Sequence, residues 1–513
     1  MSRHFSRQFL RGDTALLLYL ALVKLIFHLA FSSGYGYFRD EFYYIACGEH
    51  LDWGYVDQPP LTPLLALITR ALLGDSLLAL RFFPAVAGAV LVFLTGLMAR
   101  ELGGGRFAQG LAAVATLAAP TYIANDHIFT VNAFDHVFWA LGAYLVIRIV
   151  KEDNPKLWLV FGLVAGIGLQ NKISVLFFGF GIFVALLLTA HRKYFLSKWL
   201  WFGGAVAFVI FLPYVLWQVQ HDWPMLELLR RGQLYKNYPL SPFEFLQGQF
   251  IEMHPFNLPI WLAGLYFYLV SKQGKRYRVL GWTYVVILVV FLILKAKPYY
   301  FAPAYPMLLA AGAFTIETFV RERQWNWLKP ATVTLLLLGG AAVAPLAMPL
   351  LPVETYIRYQ RFLGIEPPKT ERHRFGKLPQ LYADMFGWQE MVATVAKVYN
   401  SLPPEERAKC AIFTNNYGEA GAIDFFGGKY GLPKAISGHN NYWLWGPGNY
   451  AGEIVITVGP RLEDVKKAFD QVELGATHVN EYAMPYESDL PIYICRKPKM
   501  SLPEVWPRTK NYI

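Results

Sequence analysis

The stretch YFRDEFYYIACGEHLDWGYVDQPPLTP, residues 37–63, follows an apolar run that is long enough to cross a membrane. It contains seven aromatic residues and five carboxylates, and it ends with a Pro-Pro pair. The carboxylates are Asp40, Glu41, Glu49, Asp52 and Asp57. Acidic residues have little influence on the orientation of a membrane protein, so this concentration of charge needs another reason.

The composition predicts an integral membrane protein. Of the 513 residues, 55% are hydrophobic and only 16% are charged, whereas soluble domains have about 25% charged residues. The net charge of +11 comes from short basic clusters between apolar runs, which is the positive-inside pattern and argues against nucleic-acid binding. The three cysteines, Cys47, Cys410 and Cys495, have neither a CxxC motif nor metal-ligand spacing.

The apolar runs predict about eleven transmembrane helices. We expect the first to be retained as a span, because no small-residue cleavage site follows it. The fifth and sixth are short and meet at LQNKIS, which predicts a tight hairpin. The spans are expected near 13–32, 77–99, 107–123, 130–150, 157–171, 173–190, 198–219, 255–270, 279–294, 300–320 and 330–350.

The loops between the spans predict the orientation. The short basic loops alternate with long or acidic ones and are therefore expected to be cytoplasmic. They include the N-terminus with Arg3, Arg7 and Arg11, and they continue with Arg100 to Arg106, Arg148 to Lys156, Arg192 to Lys198, Lys272 to Arg278 and Arg321 to Lys329. With an odd number of spans, the C-terminal part is expected outside the cytoplasm.

We therefore predict a mainly α polytopic membrane domain, residues 1–351 with an outer loop at 33–76, and a C-terminal extracytoplasmic α/β domain, residues 352–513. In the second domain, AIFTNN, EIVITVG and LPIYIC are typical of strands. WQEMVATVAKVYNSL and RLEDVKKAFDQV are typical of amphipathic helices. A disulfide between Cys410 and Cys495 is possible in an oxidising compartment, and buried free thiols are the alternative.

Three acidic stretches on the outer side are candidates for chemistry. Asp40 and Glu41 follow the first span, where a simple helix cap is the alternative. Asp57 and Gln58 precede the Pro-Pro pair, and this rigid turn suits the binding of a polar substrate. In NDHIFTVNAFDH, Asp126, Asn132 and Asp135 lie near the outer ends of two spans, where hydrogen bonding between helices is the alternative.

Basic and aromatic residues gather on the same side, against the positive-inside trend. An anion such as a lipid phosphate would explain the cations, with general headgroup contact as the alternative. These residues are Lys172, Arg230, Arg231, Lys295 and Lys297, accompanied by Tyr299, Tyr300 and Tyr305, for which an aromatic belt is the alternative. Carboxylates and phosphate-binding cations on one face suggest transfer from a phosphorylated lipid.

The motifs RDEFYY, DQPPLTPLL, TVNAFDHVFWALGAYLVIR, GLVAGIGLQNKISVLFF and KPYYFAPAYPMLLAAGA, in this order, resemble the bacterial protein O-mannosyltransferase and aminoarabinose-transferase group. This group is part of the GT-C superfamily of membrane glycosyltransferases. The resemblance covers most of residues 1–320. It departs from the group at Asp57-Gln58, where relatives often have Glu-Lys, and at Asn132, where they often have Asp.

The resemblance implies an inverting glycosyltransferase in the bacterial inner membrane that uses a polyprenyl-phosphate sugar as donor. It implies Asp40 as general base, with Glu41 and Asp57 positioning the acceptor or holding a divalent cation. The acceptor is open between a lipid, a glycan and a protein, and no metal ligand set is evident. A lipid-linked sugar flippase or transporter is the alternative, although it should carry charges near the bilayer midplane and repeated halves. A sensor whose outer domain binds a ligand is a third class of function, but the sequence shows no cytoplasmic output domain.

Overall fold

The computed structural model describes residues 12–365, 371–372, 374 and 376–513. The predicted N-terminal basic cluster of Arg3, Arg7 and Arg11 lies outside the described residues. The chain forms two compact units. The first, here called the helical unit, comprises Met1–Gly34, Leu73–Leu216 and Pro239–Pro352. The second, here called the α/β unit, comprises Tyr35–Leu72, Trp217–Tyr238 and Val353–Ile513. The domain boundary predicted at residue 351 stays a prediction. Unlike the predicted C-terminal domain, the α/β unit also includes residues 35–72 and 217–238.

Helices dominate the chain before the C-terminal sheet. In chain order they are α1 (Asp13–Ala30), α2 (Arg39–Glu49), α3 (Leu61–Leu73), α4 (Leu77–Leu80), α5 (Phe82–Glu101), α6 (Arg106–Ala118), α7 (Pro120–Asn125), α8 (Val131–Glu152), α9 (Leu157–Leu169), α10 (Val175–Leu188), α11 (Lys198–Gln220), α12 (Pro224–Arg231), α13 (Pro242–Glu252), α14 (Leu258–Leu269), α15 (Arg278–Ile293), α16 (Tyr305–Arg323), α17 (Leu328–Ala347) and α18 (Val353–Phe362).

The mainly helical, multi-pass character predicted from the sequence is confirmed. Within the described residues, six helices are long and apolar enough to cross a membrane, or seven if the bent pair 175–188 and 190–196 is one span. Each of the eleven predicted runs contains a helix, but α9 and α14 have only 13 and 12 residues. At 1.5 Å per residue they are shorter than the hydrocarbon core of about 30 Å. The count of eleven stays a prediction.

Small residues allow close helix packing in the helical unit. A Cβ on Gly312 of α16 would lie 1.7 Å from the carbonyl oxygen of Ile260 on α14, and a Cβ on Gly264 would lie 2.1 Å from that of Leu308. The two backbones therefore meet directly, as they do where glycines line an interface between membrane helices.

The α/β unit contains a five-stranded sheet. Its strands are β1 (Cys410–Thr414), β2 (Ile436–Ser437), β3 (Ile454–Val458), β4 (Phe469–His478) and β5 (Leu490–Pro498) in the order β2-β1-β3-β5-β4. β1 is parallel to both β2 and β3, whereas β5 is antiparallel to β3 and β4. Since β2 and β3 flank β1 and run parallel to it, the carboxyl ends of these strands lie at one edge of the sheet, where α/β sheets commonly bind ligands.

The remaining helices of the α/β unit follow or precede the strands. They are α19 (Gln380–Ala383), α20 (Trp388–Ser401), α21 (Pro404–Arg407), α22 (Tyr417–Phe426), α23 (Asn441–Trp445), α24 (Leu462–Ala468) and α25 (Leu502–Val505). The three predicted strands and the helix at 388–402 are present. The predicted helix at 461–472 is wrong in its last turn: α24 ends at Ala468, and Phe469 begins β4 because Val472 pairs with Cys495 of β5.

The cysteines of this sheet are buried free thiols, not a disulfide. Cys410 begins β1, Cys495 lies on β5, and β3 runs between these two strands. This settles the alternatives left open by the sequence in favour of free thiols.

Candidate functional site

The start of α2 separates the two carboxylates of RDEFYY. Glu41 is buried, and one of its carboxylate oxygens accepts the backbone N–H of Phe38 at 2.8 Å, at the N-terminus of the helix. Glu41 therefore caps the helix, which is the alternative that the sequence left open for this acidic pair. Asp40, one residue earlier, keeps about 31% of its side chain exposed.

The two oxygens of Asp40 have different surroundings. Oδ1 accepts the hydroxyl of Tyr417 at 2.7 Å and lies 3.7 Å from Nε of Arg39. Within the described residues, Oδ2 has no hydrogen-bond partner. Asp40 is thus anchored through one oxygen, and its other oxygen can accept a proton, as a general base requires.

Asp57 lies in the same unit, partly exposed, and shares the hydroxyl of Tyr43 with Asn441. The Tyr43 oxygen is 3.0 Å from Oδ1 of Asp57 and 3.1 Å from Oδ1 of Asn441. Burial raises the pKa of Asp57 to about 7; the hydrogen bond from Tyr43 opposes this rise and the charge of Asp40 adds to it. Asp57 therefore changes its charge near neutral pH. Its neighbour Gln58 is buried beside Cys47.

Arg39 lies between Asp40 and the buried carboxyl group of Asp384. Its guanidinium donates to the hydroxyl of Tyr486 at 2.8 Å and lies 4.0 Å from Asp384. Burial raises the pKa of Asp384 to about 6, although the positive charge of Arg39 opposes the rise. Arg39 therefore supplies positive charge beside both Asp40 and Asp384.

Residues at the carboxyl ends of β1 and β2 complete this acidic cluster. Tyr417 begins α22 directly after β1, and His439 and Asn441 follow β2. The rings of Tyr43 and Tyr417 stack at 4.6 Å, and His439 packs 4.8 Å from Tyr417. The segment 439–450, predicted as either a carbohydrate-binding surface or a structural loop, thus contributes its first residues to the surroundings of Asp57.

The helical unit contains a second cluster, in the predicted hairpin between α9 and α10. Nζ of Lys172 donates to Oδ1 of Asn132 at 2.7 Å, lies 3.6 Å from Oδ2 of Asp135, and sits 4.9 Å above the ring of Tyr300. Ser174 donates to the other oxygen of Asp135 at 2.6 Å. Four of the predicted residues are therefore neighbours: Asn132, Asp135 and Tyr300 surround the partly exposed ammonium group of Lys172.

Asp126, predicted to bind substrate, lies apart from this hairpin cluster in a buried ion pair. Its carboxylate is 2.8 Å from Nζ of Lys24 on α1, and both side chains are almost fully buried. The sequence analysis did not name Lys24. A lysine within the first apolar run is nevertheless a signal, because a charge inside a membrane span is costly unless it has a partner. Asp126 therefore forms an ion pair with another helix of the same unit.

The other predicted residues are spread over both units. Arg230 on α12 of the α/β unit and Lys295 in the helical unit are exposed. Lys297 and Tyr299 are partly exposed, whereas Tyr305 is buried with its hydroxyl 3.3 Å from that of Tyr284.

Neither cluster has the ligands of a typical metal centre. In the part of the chain that the structure describes, no group of three or more His, Cys, Asp or Glu residues could hold a metal ion. A divalent cation held by Glu41 and Asp57 stays a prediction.

Comparison with known proteins finds a matching family model and similar solved structures. Residues 57–217 match the family model described as dolichyl-phosphate-mannose-protein mannosyltransferase. The fold matches the crystal structure of ArnT from Cupriavidus metallidurans bound to undecaprenyl phosphate, with a TM-score of 0.61 and 14% identity over 94% of this chain and 97% of that chain. The chain therefore has the same fold as this ArnT structure. The resemblance predicted from the sequence is confirmed.

Two further proteins are similar to this chain over different lengths. It is 25% identical over 283 residues to the lipid A galacturonosyltransferase RgtD of Rhizobium johnstonii, a match that covers 51% of this chain and 56% of that protein. The chain thus matches little more than half the length of this curated relative. The oligosaccharyltransferase of Archaeoglobus fulgidus in the apo form has a TM-score of 0.50 and 11% identity over 83% of this chain and 64% of that one.

Proposed function

We propose that the chain is an inverting glycosyltransferase of the bacterial inner membrane that transfers a sugar from a polyprenyl-phosphate donor to an acceptor on the outer face. The observation that carries the proposal is the carboxylate of Asp40, which is fixed through Oδ1 and open at Oδ2. The similarity in fold to ArnT bound to undecaprenyl phosphate supports a polyprenyl-phosphate donor.

The similarity to RgtD supports a choice of sugar and acceptor. RgtD is described as a lipid A galacturonosyltransferase. We therefore propose galacturonic acid as the sugar and lipid A as the acceptor, in preference to the protein or glycan acceptors that the sequence left open. The periplasmic position of the C-terminal part belongs to the same proposal, and it rests on the basic-loop pattern.

In the proposed reaction, a hydroxyl of the acceptor attacks the anomeric carbon from the face opposite the phosphate. Oδ2 of Asp40 takes the hydroxyl proton as the new C–O bond forms. The bond between the anomeric carbon and the phosphate oxygen breaks, and its electron pair leaves with the polyprenyl phosphate. One displacement inverts the anomeric configuration. A positioned base contributes typically 10²–10⁴-fold to such a step.

We assign the donor phosphate to the hairpin cluster of the helical unit. Lys172 is held by Asn132 and Asp135, so its ammonium group has a fixed place and loses little side-chain freedom when it binds an anion. The carboxylate of Asp135 neutralises part of that charge. We therefore propose that Lys297, in the same unit, supplies a second positive charge for the phosphate.

Reconstitution tests the function directly. The purified protein in liposomes receives undecaprenyl-phosphate galacturonic acid and lipid A, and mass spectrometry follows both lipids. We expect one galacturonosyl group on lipid A for each undecaprenyl phosphate released, with the opposite anomeric configuration by NMR. Passage of intact donor across the bilayer without sugar transfer would instead identify a transporter, and transfer to a protein or glycan would change the acceptor.

A further inference from the structure

The hydrogen-bond directions around Tyr417 are fixed by its partners. The guanidinium of Arg39 can only donate, and its Nη2 lies 3.4 Å from the Tyr417 hydroxyl oxygen. The oxygen of Tyr417 therefore accepts from Arg39, and its one hydrogen points to Oδ1 of Asp40 at 2.7 Å. A chain of hydrogen bonds thus runs from a permanent cation, through a phenol, to the anchored oxygen of the carboxylate.

Tyr417 itself is held firmly by the α/β unit. It is the first residue of α22, whose N-cap, Asn416, accepts the backbone N–H groups of Gly418 and Glu419 at 2.8 and 3.1 Å. Its ring stacks on Tyr43, and Arg39 lies 5.4 Å from the ring centroid. The side chain is 8% exposed. A ring packed on these sides has little freedom, so it can fix the carboxylate that it binds.

We propose that Tyr417 is a positioning residue for the transfer reaction: its hydroxyl holds Oδ1 of Asp40 so that Oδ2 faces the acceptor hydroxyl. The α/β part of the chain is then a working part of the site, because it supplies the group that orients the base. This inference rests on the proposed function and names a residue that neither the family pattern nor the sequence indicated.

Tyr442 provides a matched control for the hydroxyl of Tyr417. It is another buried tyrosine of the same unit, and it donates to a different carboxylate, Oδ2 of Asp424, at 2.8 Å. Tyr442→Phe and Tyr417→Phe therefore remove the same chemical group from comparable surroundings. A general loss of stability should affect both variants, whereas loss of positioning should affect only Tyr417→Phe.

The test is a double-mutant cycle measured with undecaprenyl-phosphate galacturonic acid and lipid A. We expect Tyr417→Phe to lower kcat by about 10-fold or more, as loss of a hydrogen bond to a charged group does, and to change KM for the donor less than about twofold. In an Asp40→Ala background the same substitution should cost less than about twofold, because the carboxylate that it positions is absent. Tyr442→Phe should retain wild-type turnover.

Three results would overturn the proposal: an equal loss of turnover in Tyr442→Phe, additive losses in the cycle, or unchanged kcat in Tyr417→Phe. A cryo-EM structure of Tyr417→Phe in nanodiscs gives a readout that needs no activity. We expect the Asp40 carboxylate to rotate in this variant and to keep its place in Tyr442→Phe. If the wild type does not transfer this sugar, the proposed substrates are wrong, and an unmoved Asp40 in the variant then independently rejects positioning by Tyr417.

Discussion

Asp40 is the residue whose chemistry the proposed mechanism depends on most. Asp40→Asn retains the shape of the side chain and removes its negative charge, so we expect turnover to fall by at least about 10²-fold. Donor binding should persist, since a carboxylate repels rather than attracts a phosphate. The measurement is sugar transfer and undecaprenyl phosphate binding by the purified variant. Glu41→Gln, a change at a buried carboxyl that accepts a backbone N–H, should cost less. Near-normal turnover in Asp40→Asn would move the role of base to Asp57 or Asp135.

Asp57 gives the site a pH dependence whose sign follows from its environment. Burial raises its pKa to about 7 in the folded protein, against about 3.9 in an unfolded chain. Between these values the folded state binds more protons than the unfolded state, so this group makes the free energy of unfolding fall as pH rises from about 4 to about 7. Below pH 4 and above pH 7 its contribution is constant.

We therefore expect Asp57→Asn to unfold at a higher temperature than the wild type at pH 8, with an advantage that shrinks as the pH is lowered towards 5. Thermal unfolding of both proteins in detergent across this pH range measures the difference. An advantage independent of pH would show that Asp57 has an ordinary pKa in the folded protein.

At the scale of elements, the hairpin between α9 and α10 holds the proposed anion site. Lys172→Ala removes an ammonium group fixed by Asn132 and Asp135. We expect the variant to bind undecaprenyl phosphate about tenfold more weakly, as loss of a charge-assisted hydrogen bond does. Native mass spectrometry or fluorescence titration measures the affinity. The control is Lys198→Ala, which removes an exposed lysine of α11 that packs on Trp199, and it should bind normally. Unchanged affinity in folded Lys172→Ala would assign the lysine to holding Asn132 and Asp135.

Local hydrophobic patterns in the sequence predicted most helices and strands of the chain. They failed where pairing between distant strands decided the structure. The apolar runs located helices throughout residues 13–350, because a helix satisfies its own backbone within one segment. The helical pattern of 461–472 was overruled at Phe469, because the backbone from there on pairs with β5. Pairing with a strand elsewhere in the sequence leaves no local signal, and this is why the sequence misplaced the end of α24.

At the scale of the whole molecule, the alternation of basic loops predicts that residue 513 lies outside the cytoplasm. A C-terminal alkaline phosphatase fusion should therefore be active. An alkaline phosphatase fusion truncated after Arg323, in the predicted cytoplasmic loop Arg321 to Lys329, should be inactive. A fluorescent cytoplasmic reporter fused at the same position should be fluorescent. Activity of only the cytoplasmic reporter at residue 513 would refute the eleven-span topology.

The sequence by itself determined the class of the protein: a multi-pass membrane chain with the GT-C resemblance and an acidic stretch after its first span. These features depend on composition and on residues close in sequence. Only the tertiary structure showed that Oδ1 of Asp40 is held by Tyr417, 377 residues away, and that Tyr43 binds Asn441, 398 residues away. It also placed Lys24 against Asp126 and joined Lys172 to Asn132 and Asp135. A hydrogen bond between distant residues depends on how helices and strands pack, and one sequence contains no periodic signal for that contact.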